Sequence, residues 1–388
     1  MKRFFSFLWP LYIGEFFRSL TFFLPIWILF FQSRGLSLAD IGFVATGTYI
    51  ASFLLEYPTG IFADKYGRKL SIIISVLLSL VAIILEVTAY SKIQFFIAAL
   101  FVGASWAFVS GAREALIYDE LKQKKLEKYN SKVLGSLDTV SALGGITSAS
   151  LGSIFFVWKN TLPYWLTACA YVLTFIFFIL IKEAKYKQKG ASAYSFGNFI
   201  EGMKLVFRNP VLKSLLLLFI PLFFFEEAWY NAQQPILVGI GLPIAFLGVY
   251  YALKAVFVAA GGIALPRLLE KFNHKILLFV VIVAEFLVWV FLGSNNLYLV
   301  IVFAYFLILC HQLWNYIDAD IIHEHIPSHI RATTISGRQM LISLIWIFNP
   351  WLMGYLVNSF NRNYLFPIFA VIILVTALII FFSRRKHF

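Results

Sequence analysis

Twelve apolar stretches succeed one another along the chain, each long enough to cross hydrocarbon as a helix of about 20 residues. Six lie near residues 5–31, 40–62, 70–90, 95–120, 131–157 and 162–181, and six more near 211–234, 243–265, 275–293, 297–322, 332–357 and 364–382. Between the two sets, Lys182–Arg208 is the one long polar stretch, opening with Lys182, Lys185, Lys187 and Lys189. Its second part, Phe196–Phe207, has the pattern of an amphipathic helix lying on a surface. The pattern predicts an all-α integral membrane protein of twelve transmembrane helices, with a six-helix bundle over 1–182, a linker over 183–210 and a second six-helix bundle over 211–388.

Composition agrees with the pattern and narrows it. The 388 residues are 61% hydrophobic and 13% charged, with a mean hydropathy of +0.84, far too apolar for a soluble domain. The net charge of +13 would suggest nucleic acid in a soluble protein, so its placement matters. Arg34, Lys92, Lys159 and Arg362 fall in loops on one side, Arg18, Arg113 and Lys254 fall within spans, and all the other Lys and Arg fall on the opposite side. Such asymmetry marks the cytoplasmic face and predicts both termini there, which disposes of a nucleic-acid partner. Met1-Lys2-Arg3 before an apolar run imitates a signal peptide, but Glu15 and Arg18 interrupt it and no small-residue cleavage site follows, so it is expected to remain as the first helix. Cys169 and Cys310 both lie in apolar runs, where a thiol is a small hydrophobe, and no disulfide is expected.

The stretch Gly60-Ile-Phe-Ala-Asp64-Lys65-Tyr-Gly67-Arg68-Lys69 separates the second and third spans. Charges this dense cannot sit in hydrocarbon, so it is predicted to be a short turn at the surface, with Gly60 and Gly67 letting two helix ends approach. The spacing G-x-x-x-D-[KR]-x-G-R-[KR] resembles the cytoplasmic loop signature of the major facilitator superfamily of transporters. After the eighth span, Gly261 to Lys275 occupies the corresponding place, keeping small and basic residues but neither the Asp nor the second Gly. The resemblance implies two parallel six-helix repeats with a binding site between them near the midplane. It also implies a gate, in which Asp64 meets the turn before Arg331 and Arg68 pairs with Asp119; plain interfacial charge is the alternative for Asp119-Glu120.

Ionisable residues inside spans are costly and are therefore functional candidates. Glu15 and Arg18, three apart, share one helix face and can neutralise each other. Arg113 and Glu114 diverge by about 100° around a helix and are expected to need different partners. Glu56 and Tyr57 lie near the cytoplasmic end of the second span. The resemblance makes the first, fourth and seventh helices cavity-lining, which singles out Glu15, Arg18 and Arg113 for substrate binding. In the seventh span Glu226 and Glu227 stand beside Trp229, Tyr230, Asn231, Gln233 and Gln234. Two adjacent carboxylates in a low dielectric do not both ionise readily, as a proton carrier requires; the alternative is that one of them neutralises Lys254. Trp229, Asn231 and Gln233, with His311 and Asn315 of the tenth span, complete the expected substrate contacts. Glu285, in the ninth span, is set aside because the resemblance makes that helix peripheral. Asp318 or Asp320 is expected to pair with Arg338, in preference to a metal site that would draw on His323, Glu324 and His325.

Nothing indicates an enzyme: no phosphate-cradling G-x-x-x-x-G-K-[ST] loop and no nucleophile motif occurs, and no metal or cofactor is expected. Two features depart from proton-coupled and drug-exporting relatives. Ala99, not Arg, stands four residues before Gly103, and the glycine-rich stretch Ser141–Gly152 lacks Pro. The reading is a monomeric secondary transporter in the cell membrane, closest in character to prokaryotic drug/proton antiporters. It moves a small organic molecule by alternating access with proton coupling, and export stands ahead of uptake. Nutrient uptake or facilitated diffusion on the same fold, and a substrate-sensing receptor that does not transport, are the alternatives.

Overall fold

A computed structural model describes residues 2–183, 204, 206–325 and 328–383, and all regular structure among them is helical. The helices are α1 (Lys2–Arg18), α2 (Trp27–Ser33), α3 (Leu38–Tyr66), α4 (Arg68–Thr88), α5 (Lys92–Val109), α6 (Ala112–Gln123), α7 (Asn130–Trp158) and α8 (Leu162–Ile179). They continue with α9 (Pro210–Phe224), α10 (Glu226–Tyr230), α11 (Gln233–Gly239), α12 (Leu247–Lys271), α13 (His274–Leu292), α14 (Leu297–His325), α15 (Ser328–Ser359) and α16 (Arg362–Ser383). Ten segments among the described residues are long and apolar enough to cross a membrane, α5 and α6 counting as one. The first and seventh predicted spans are instead interrupted, as α1–α2 and α9–α11.

A proline stands at one break in each interrupted span. Pro25 has no N–H to give the Thr21 carbonyl, and the chain passes from α1 to α2 through a short 3-10 turn at Leu24–Ile26. Pro235 likewise leaves the Asn231 carbonyl without its helical donor, and α10 gives way to α11 at Asn231–Ala232. The fourth span breaks at Ser110-Gly111, where Gly111 takes a left-handed backbone with φ 67°.

The turn expected over Gly60–Lys69 is shorter than the sequence suggested. α3 runs on to Tyr66 and only Gly67, at φ 108°, departs from helix. A Cβ on Gly60 would meet nothing, so that glycine serves no close approach, because the helix ends meet about two turns later, at Gly67. Residues 196–203 of the predicted surface helix lie outside the described residues.

The chain forms two compact units, one of Met1–Leu36, Phe43–Ala193 and Ile244–Ala252, the other of Ser37–Gly42, Tyr194–Pro243 and Leu253–Phe388. In the first, α4 packs on α5 and α8, and α1 on α7 and α8. The glycines of α7 permit close approach of α1 and of the turn that follows it: a Cβ on Gly144 would strike the Phe16 carbonyl, and one on Gly152 the Phe22 carbonyl. Leu11, Ile72, Ile117, Val133, Leu137 and Phe178 fill the core of this unit. In the second, α13 packs on α14 and α16, and α9 on α16. Its aromatic core stacks Phe225 on Phe369 at 4.1 Å and sets Trp289 edge-on to Phe366 at 5.3 Å.

Candidate functional site

Glu15 of α1 is the centre of a charged cluster in the first unit. Its carboxylate, 1% exposed, accepts from Arg18 at 2.8 Å and from Arg113 of α6 at 3.0 Å, with the Ser141 hydroxyl at 3.4 Å. Arg113 reaches on to Asp138 of α7 and to Glu114, each at 3.3 Å. The expectation that Arg113 and Glu114 need different partners is therefore corrected. The guanidinium is long enough to fold back on its neighbour at the first turn of α6. The two guanidiniums are drawn in among three carboxylates, of which Glu114 and Asp138 remain more than half exposed.

A second arrangement surrounds the Gly67 turn. Arg68 donates to Asp119 at 2.6 Å and lies 3.9 Å from Asp64. The Glu183 carboxylate caps the first turn of α4, accepting from the backbone N–H of Arg68 at 2.6 Å and of Lys69 at 3.2 Å, where an acidic group complements the helix dipole. The Lys69 ammonium in turn donates to the Ile179 carbonyl near the end of α8, at 2.7 Å. A Cβ on Gly67 would press on the Glu183 carboxylate, so both its φ and its surroundings demand glycine. The expected contact of Asp64 with the turn before Arg331 involves side chains outside those described.

In the second unit His311 of α14 is held between two carboxylates. Its Nδ1 lies 3.0 Å from Glu226 of α10 and its Nε2 3.1 Å from Glu285 of α13, while the ring stacks on Phe223 at 4.5 Å between centroids. Glu285 is wholly buried, and its other oxygen accepts from the Trp289 indole at 3.1 Å. Glu285, ranked below Glu226 and Glu227 because its helix is peripheral in the family, thus shares a cluster with Glu226 and His311. Its helix packs along α14, and a buried carboxylate one turn from Trp289 points into that contact. Glu227 is also buried and takes the Asn231 amide at 3.3 Å. Glu226 has His311 at ion-pair distance, and Lys254 acts on it electrostatically from farther away.

The remaining expected residues are dispersed. Trp229 is packed edge-on to Phe366 at 6.5 Å, Gln233 is buried and donates to the Tyr230 carbonyl, and Asn315 is exposed on α14. Arg338 forms a two-pronged pair with Asp318 at 2.5 and 2.9 Å, and Asp320 faces His274 at 3.5 Å. The side chains of His323, Glu324 and His325 lie outside those described. The sequence reading overlooked Asp138, Glu183 and Glu86, although each is an acidic residue in or beside an apolar run and could have been found by that signal alone.

Residues 11–317 match the family described as Major Facilitator Superfamily. The chain is 25% identical over 371 residues to the uncharacterized MFS-type transporter YxaM of Bacillus subtilis (strain 168), an alignment spanning 92% of this chain and 90% of that protein. Among solved structures, a point mutant of the nucleoside transporter NupG superposes with a TM-score of 0.81 at 14% identity, covering 96% of this chain and 98% of the other. A D-xylose-proton symporter superposes with a TM-score of 0.70 at 12% identity, covering 96% and 97%. At such identities the likeness is one of fold.

Proposed function

Because this chain belongs to the Major Facilitator Superfamily, whose fold serves membrane transport of small molecules, we propose that it is a proton-coupled secondary transporter in which the Glu226–His311–Glu285 cluster carries the proton. The observation that carries this reading is an imidazole held by carboxylates on both ring nitrogens inside a packed unit. One proton more or less changes the charge of that cluster in a low dielectric, where the change is worth most. It then alters which packing of α10, α13 and α14 is favoured, and a conformational equilibrium is what a coupling ion must bias. Glu227, beside Glu226 and bonded to Asn231, is a reserve acceptor.

The cluster around Glu15 supplies the substrate contacts. Arg18 and Arg113 are each held by Glu15, so their donors are oriented in advance, and Glu114 and Asp138 leave carboxylate oxygens open to a polar group. With the termini cytoplasmic, the Asp64, Gly67, Arg68 and Asp119 arrangement stands at the inner surface and serves as a latch between α3, α4 and α6. Alternating access then exports a small organic molecule against inward proton flow. Gly60 has no part in the latch.

The first step is to find a ligand by thermal stability across panels of lipophilic cations, organic anions, sugars and nucleosides at two pH values, since a ligand of the folded state raises the unfolding temperature. The hit is then followed in proteoliposomes. The wild type is expected to accumulate it against its gradient when a proton gradient is imposed. His311→Asn and Glu226→Gln are expected to retain downhill exchange and lose accumulation. Accumulation that survives in both variants sinks the coupling assignment.

A further inference from the structure

The charged group around Glu15 is not neutral. Arg113 turns every nitrogen to a carboxylate, Nε to Glu15 at 3.0 Å, Nη1 to Glu114 and Nη2 to Asp138, each at 3.3 Å. Arg18 turns Nε and Nη2 to a single Glu15 oxygen, at 3.1 and 2.8 Å. Two guanidiniums therefore face three carboxylates. The surplus negative charge stands on Glu114 and Asp138, which are more than half exposed, whereas Glu15 is enclosed.

A fourth carboxylate joins at the break before α6. Glu56 of α3 accepts from the Ser110 hydroxyl at 2.8 Å, and Ser110 directly precedes the turn that opens α6 with Arg113 and Glu114. Glu56 is exposed and has no cation at ion-pair distance among the described residues. One turn before Ser110, the half-exposed Trp106 indole lies edge-on to Tyr49 of α3, with ring centroids 6.3 Å apart. Tryptophan and tyrosine in membrane helices collect at the two interfaces, yet this pair lies near the middle of α3 and of the Lys92–Gln123 segment. Glu56, Glu114 and Asp138 likewise stand in segments of membrane-crossing length, where a charged side chain turns to water or to a partner and not to lipid.

We propose that this group selects organic cations, the positively charged head of the substrate settling against the exposed carboxylates of Glu114 and Asp138. The assignment rests on the reading that the Glu15 cluster supplies the substrate contacts, and it names the charge those contacts accept. A cation offsets the surplus that Arg18 and Arg113 leave, while an anion meets like charge and finds no nitrogen of Arg113 open to it. Glu56 extends the same preference along α3, and Trp106 and Tyr49 add π faces, which attract cations. A bare metal ion fits poorly, because Glu114 and Asp138 both lie against Arg113 and, among the described residues, no three acidic, imidazole or thiol groups come together as ligands.

Matched ligands test the charge class directly. Phenethyl, cyclohexyl and indole skeletons, each carrying a primary amine, an alcohol or a carboxylate, are titrated by calorimetry into the full chain in nanodiscs of zwitterionic lipid, with empty nanodiscs as the blank. At least one amine is expected to bind about tenfold or more tightly than its alcohol, with the carboxylate weakest. Glu114→Gln combined with Asp138→Asn should remove that advantage and leave the alcohol's affinity unchanged. Glu114→Asp, which keeps the charge, should retain it, and this separates a lost charge from a lost fold. If no amine binds more tightly than its alcohol, or a carboxylate binds most tightly, the cation assignment is overturned. Where the double variant abolishes such carboxylate binding, the Glu15 cluster still makes the substrate contacts and only the charge class falls. Amine binding that ignores the double variant overturns the assignment and the substrate-contact reading together.

Discussion

Arg338 and Asp318 show how a charge inside a span can serve stability rather than transport. Both side chains are almost entirely buried, and the two-pronged geometry uses both carboxylate oxygens. Removing one partner leaves the other as an uncompensated buried charge, which costs about 3–5 kcal/mol, whereas replacing both by apolar residues is often close to neutral. Arg338→Met is accordingly expected to lower the unfolding temperature sharply, and adding Asp318→Leu should recover most of the loss; denaturation of the purified variants compares them directly. Failure of the double variant to recover would mean that Arg338 has a further role. At Glu285 the expectation is the reverse. Glu285→Gln keeps the volume and the indole contact, so it is expected to fold normally and yet change the pH at which ligand binding falls by half, because His311 loses one of its two charged neighbours.

Neighbouring glycines in α7 separate the demands of an element from those of its packing. A Cβ at Gly144 meets the Phe16 backbone, while at Gly145 it meets open space. Gly144→Ala is expected to destabilise by about 1–3 kcal/mol through overpacking. Gly145→Ala should stabilise by about 0.5–1 kcal/mol through helix propensity. Thermal unfolding of the two variants tests both signs, and equal shifts would show that α7 does not owe its place on α1 to Gly144. Most elements were legible because lipid-length apolar runs leave little choice but helix. The breaks were less so: Pro25 and Pro235 were visible, but which turn each would open depends on the packing of α1 and α9. The Glu15–Arg18 pair was legible from its spacing of three. Asp138 and Glu183 could be noticed as acids in or beside apolar runs, but not paired, since their partners are distant in sequence, and the contact of Glu285 with His311 joins two spans that no spacing relates.

At the scale of the whole chain, the same basic residues that raise the net charge to +13 should also fix its orientation. Lys65, Arg68 and Lys69 fall at one end of α3–α4, and Arg34, Lys92 and Lys159 fall in the loops at the opposite ends of the spans. If loop charge decides orientation, then a cysteine placed at Lys65 in a chain lacking Cys169 and Cys310 is expected to react with a membrane-impermeant thiol reagent only after cells are opened. One placed at Lys159 is expected to react in intact cells. The positions suit the test, because Lys65 is exposed and adjoins Asp64, which is half exposed, and Lys159 follows the end of α7 and is itself exposed. The opposite pattern would place the Gly67 turn outside. Labelling at both positions in intact cells would mean a mixed orientation, in which case a basic loop pattern this uneven would not suffice to orient the chain.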